Sequence, residues 1–197
     1  MPRRSAREWP DGTQDATLLG PDRRTHALPR WSTRDLHGVA HGFREAAEAV
    51  HDSIPERSPD PLFLPLAYLW RQHLELMLKA NIQLWSRMLG QAVPKLGGRD
   101  GLGHELRDLW TRFVELSDAE IGDKDRADTV SAGKALETFL QLEPHPDSSR
   151  YAASVDGRRY ARPERVDLRE LHRAALAVSR LLTAAYDQAD AWMDATQ

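Results

Sequence analysis

Near the C-terminal end of the chain stand Arg165 and His172, with Arg169 between them. A helix turns about 100° per residue, so on one continuous helix a seven-residue step returns to within about 20° of its start and the three side chains share a flank. A guanidinium can hold a phosphate while an imidazole moves a proton. Together these roles are the minimum for cleaving RNA through attack by its own 2′-hydroxyl. The ordinary alternative is a solvent-facing Arg-His flank, because such a spacing is common by chance.

Three further arrangements could do chemistry. His73 falls within an apolar helical stretch, where an imidazole must find a hydrogen-bond partner or cost on the order of 1–3 kcal/mol; a satisfied neutral histidine and a general acid/base tuned by burial both fit. Arg71, Glu75 and Lys79 recur at i, i+4 and i+8, which lets one carboxylate bridge two cations. His37 and His41 stand at i, i+4, the spacing by which two imidazoles can share a metal, although no glutamate is placed as in a zinc-protease helix and a solvated pair is the ordinary reading. With His73 or His104 as a third ligand that pair resembles the metal-binding DinB-like bundles, a competing enzyme class. No serine-nucleophile or Gly-rich phosphate-loop pattern occurs.

The chain has 197 residues, a net charge of −3 and no cysteine. That length suits one domain with a real core, and the missing cysteines exclude disulfides, thiol nucleophiles and cysteine-ligated zinc. No apolar run is long enough for a spanning helix or a signal segment, so a cytoplasmic protein without a membrane partner is expected. Overall charge gives no nucleic-acid signature, but arginines 150, 158, 159, 162, 165, 169 and 173 crowd one span.

Residues 60 to 90 predict the element that positions the rest, a helix apolar on most of its circumference with only the Arg71–Glu75–Lys79 stripe polar. Apolar residues on two opposite sides exceed what one layer of helices covers, which predicts a two-fold homodimer. Before it, residues 1 to 31 read as a loosely docked tail anchored by Trp9 and Trp31, and 32 to 197 as the domain. A first helix is expected over about 33 to 52, a third over His104 to Leu116, and a fourth over about 127 to 142. Around Asp156-Gly157 a small hairpin or flap is expected over 147 to 162. A final helix enters through Pro163 or is capped by Asp167 with Glu170 three residues on. Together these predict an all-α, up-and-down bundle of about five helices.

The runs Arg71-Gln-His73-Leu-Glu75-Leu-Met-Leu-Lys79, His104-Glu-Leu-Arg-Asp-Leu-Trp110 and Asp147-Ser-Ser-Arg150-Tyr151, the last followed by Asp156-Gly157, resemble HEPN-like proteins (higher eukaryote and prokaryote nucleotide-binding). The likeness covers about residues 60 to 185. It implies a helical bundle that often dimerises and, in many members, a metal-independent ribonuclease of toxin or defence systems that needs no cofactor and is held by an antitoxin-like protein partner. On that likeness Arg165 and His172 are the catalytic pair, Arg150, Arg158 and Arg169 hold RNA, and Arg71, His73, Glu75, Lys79, His104 and Tyr151 form a polar network in which Arg150 neutralises Glu75. Non-catalytic members imply the alternative, a nucleotide- or protein-binding module.

Overall fold

A computed structural model describes residues 35–56, 58–96, 101–118, 123–143, 157 and 164–196. Among them are five α-helices and no strand: α1 Leu36–Asp52, α2 Phe63–Met88, α3 Leu106–Ser117, α4 Asp123–Leu142 and α5 Leu168–Ala195, with short 3-10 turns at Ile54–Glu56 and Asp60–Leu62 between α1 and α2. The N-terminal tail and nearly all of the expected flap lie outside the described residues. Gly157 alone represents the flap, with φ of 79°, the left-handed backbone that the Asp-Gly pair predicts.

The local chemistry accounts for the helix ends. Asp35 caps α1, its carboxylate accepting from the Gly38 N–H at 2.7 Å. Pro65 falls in the first turn of α2, where its missing N–H is harmless. At the other end of α2 the Gly90 N–H donates to the Arg87 carbonyl at 3.0 Å and the Gln91 N–H to the Ser86 carbonyl at 2.8 Å. This closure requires positive φ at Gly90, which has 65°.

The central helix is buried around nearly its whole circumference, packing against α1, α3 and α5, while α4 packs on α5. The apolar surplus that predicted a homodimer is thus covered within one chain, by three neighbouring helices rather than a second copy. Trp70, Trp85, Leu74, Leu78 and Ile82 of α2 meet Phe113 of α3, Phe139 of α4 and Leu171, Val178 and Leu182 of α5 in one core. Truncating one of the leucines to alanine costs about 2–5 kcal/mol.

Contacts fix the directions. α1 is antiparallel to α2, with Phe43 edge-on to Tyr68 at 6.4 Å and the Ala40 carbonyl at His73. α2 and α5 run parallel, His73 meeting Ser179 and Asn81 meeting Leu182. Because the connection after α2 retraces it, with Pro94 tied to Gln83 and His104 reaching Glu75, α3 also runs parallel to α2. The expected up-and-down alternation is interrupted there, since its rule of short links does not cover a connection of this length. It resumes at α4, which is antiparallel to α3, Arg107 pairing with Glu137 at 2.7 Å and Asp118 with Arg126 at 3.2 Å. No helix among the described residues is long and apolar enough to cross a membrane.

Candidate functional site

Asp167 settles the start of α5, its carboxylate accepting from the Arg169 N–H at 2.9 Å and the Glu170 N–H at 3.4 Å. Arg165 therefore precedes the helix, exposed, in an extended lead-in. The 20° relation between Arg165 and His172 presupposed a continuous helix, and the cap breaks it. Arg169, one turn before His172 on α5, keeps the proximity that was expected of Arg165.

Nor is the His172 flank open. The imidazole is half-buried and lies face to face with His51 from the last turn of α1, ring centroids 3.7 Å apart and planes within 14°. Trp70 of α2 meets it edge-on at 5.2 Å. Nδ1 of His172 is buried without a hydrogen-bond partner among the described residues. Burial lowers its pKa below the ordinary histidine value; the neighbouring His51 adds to this and Glu48 and Asp52 partly oppose it. His51 is oriented in turn by the Asp52 carboxylate, which accepts from its Nδ1 at 3.2 Å. Beside His51 opens a cavity of about 260 Å³ lined by His51, Asp52, Ile54, Pro55 and Arg169, with His172 behind the His51 ring rather than in the lining. Arg169 makes no ion pair among the described residues. The site thus joins the C-terminal end of α1 to the first turns of α5, and brings together two imidazoles, an orienting carboxylate and a guanidinium.

The second group of polar residues is buried and divided. Arg71, 1% exposed, does not share Glu75; its Nη1 donates to Glu143 at the end of α4 at 2.6 Å. Glu75 Oε1 accepts instead from Lys79 Nζ and from His104 Nδ1, each at 2.8 Å. Glu75 therefore has an ammonium and an imidazole as partners, while Arg150, expected to neutralise it, lies outside the described residues, as do Tyr151 and Arg158. His73 turns to the other side of α2. Its Nδ1–H donates to the Ala40 carbonyl at 2.8 Å, so the unprotonated Nε2 accepts from the Ser179 hydroxyl at 2.7 Å. Burial pushes its pKa down to about 4, against the opposing pull of the Ala40 hydrogen bond. A histidine satisfied on both nitrogens at 2% exposure ties α1, α2 and α5 together and is not placed to meet a substrate.

His37 and His41 do not converge. His37 stacks on Tyr186 and His41 faces Glu45 at 3.5 Å. Among the described residues no three histidines or carboxylates are grouped as a metal would need. Sequence reasoning missed His51 and Asp52. Their one signal was position, since a histidine in the last turn of a predicted helix, ahead of a proline-rich connection, must lie at that end of the bundle. No family model, curated protein or solved structure matches the chain.

Proposed function

We propose that this chain is a HEPN-like cytoplasmic protein that cleaves single-stranded RNA without a metal, at the cavity between the end of α1 and the start of α5. What supports the reading is the stacked His51–His172 pair with Arg169, which makes no ion pair among the described residues, lining the same cavity as His51. Arg169 holds the scissile phosphate. His172, kept neutral by burial, takes the 2′-hydroxyl proton through Nε2. As the 2′-oxygen bonds to phosphorus, the bond from phosphorus to the 5′-oxygen breaks, and that oxygen takes a proton from the imidazolium form of His51, whose ring Asp52 orients. The products are a 2′,3′-cyclic phosphate and a 5′-hydroxyl. Incubation with single-stranded RNA in excess chelator, followed by analysis of the new ends, checks this: those two ends are expected, and intact RNA or 3′-hydroxyl ends would refute it.

The second reading is a non-catalytic HEPN-like module that binds nucleotides or a protein partner. It is favoured by the packing of His172, which rings of His51 and Trp70 hold on two sides as they would a structural imidazole. Binding of RNA without cleavage, lost in Arg169→Ala, would select it. The homodimer rests on the resemblance alone.

A further inference from the structure

A second cavity, of about 400 Å³, lies at the other end of the α1–α5 contact, where the first turn of α1 faces the last third of α2 and Tyr186 of α5. Its floor is apolar, made by Leu36 and Val39 from α1 and Ala80 and Leu84 from α2. Leu96, 39% exposed on the connection after α2, extends that floor to the lip. One wall is a π surface, since His37 and Tyr186 stack with centroids 4.2 Å apart and planes within 9°.

The charge around this wall is lopsided. Burial raises the Tyr186 phenol above its usual pKa, and Asp35, Asp190 and Asp187 push the same way while Arg87 alone opposes them. Of these groups Asp35 and Arg87 line the cavity, while Asp187 and Asp190 stand one and four residues from Tyr186 on α5 outside its lining, and none of the four is in an ion pair among the described residues. Asp35 uses Oδ1 to cap α1 and keeps its second carboxylate oxygen for another partner. A volume in the few-hundred-Å³ range with an apolar floor and a few polar groups is the usual form of a small-molecule site. An anion beside the Tyr186 ring would meet Asp35 and Asp190 against Arg87 alone, and a neutral hydrocarbon would make no use of the free Asp35 oxygen.

We propose that this cavity binds an organic cation with an apolar body, its ammonium or quaternary group between the Asp35 carboxylate and the Tyr186 ring and its hydrocarbon part on the Leu36–Leu84 floor. The stacked aromatic wall attracts the cation through its quadrupole and the carboxylate fixes its place, a combination that is strongest where water is excluded. The site is remote from His51 and His172 along α1 and does not depend on the ribonuclease reading.

The probe is benzyltrimethylammonium, titrated at neutral pH and low salt by calorimetry, with phenylacetate as its anionic counterpart. Saturable one-to-one binding of the cation is expected, together with nuclear Overhauser contacts from its methyl protons to the Tyr186 ring. Asp35→Asn, whose amide oxygen still accepts from the Gly38 N–H, should keep the helix cap and weaken binding about tenfold. Asp190→Asn should weaken it less. Failure of the cation to bind, phenylacetate binding as tightly, or methyl contacts that avoid Tyr186 would overturn the assignment. The contact measurement decides even if Asp35→Asn fails to fold.

Discussion

Acid should loosen this protein through His73 before it reaches most of its carboxylates. In the unfolded chain this histidine titrates near 6.5, and in the fold it is held at about 4. Between those values the unfolded state binds the extra proton, so stability rises with pH. The contribution is complete above the unfolded pKa and lost as pH falls through the folded one. A displacement of this size corresponds to about 3 kcal/mol. At 2% exposure little solvent screening reduces it. Against a total stability of about 5–15 kcal/mol the loss is large, and it corresponds to a melting temperature lower by about 6–12 °C at pH 4 than at pH 7. Urea unfolding of wild type and His73→Gln across that window isolates the histidine, because glutamine can donate to Ala40 and accept from Ser179 without titrating. The difference between the two should shift by about 3 kcal/mol from pH 7 to pH 4. Parallel curves would refute the reasoning. His172, also lowered by burial, adds to the wild-type slope with the same sign but cancels in the comparison.

Other perturbations separate buried from exposed charge. Glu75→Ala strands Lys79, itself 4% exposed, and should cost about 3–5 kcal/mol in chemical denaturation. His104→Ala removes the other partner of the same carboxylate, but its side chain is 70% exposed and the cost should stay under about 1 kcal/mol. Gly133→Ala should stabilise by about 0.5–1 kcal/mol in thermal melts, since a methyl there would rest at ordinary contact distance, 3.4 Å, from Trp110 and helix propensity favours it.

Periodicity made the helices legible because the helices around α2 bury apolar stripes, and the ends at Gly90 and Asp167 followed from residues whose capping roles are local; α1 instead starts at Leu36 with Asp35 as its cap, where a start near 33 was expected. Tertiary pairings were not legible. Arg71 and Glu75 stand one turn apart and look like partners, yet the end of α4 brings Glu143 to Arg71, 72 residues along the chain. The Asp167-Glu170 signature already implied that Arg165 lies outside the helix. Counting spacing without applying the cap placed Arg165 beside His172. His51 was invisible for the opposite reason, since nothing on α1 alone tells which ring of α5 it will cover. The apolar excess of α2 showed that it needed several neighbours, but not whether they came from one chain or two.

His172→Gln and His51→Gln, each assayed on single-stranded RNA in excess chelator alongside a thermal melt, bear on the proposed site itself. Glutamine keeps bulk between Trp70 and the end of α1 while abolishing proton transfer. If His51 and His172 carry the chemistry, each variant melts within a few degrees of wild type and cleaves about a hundredfold more slowly or worse. Wild-type cleavage rates in both variants would contradict the site.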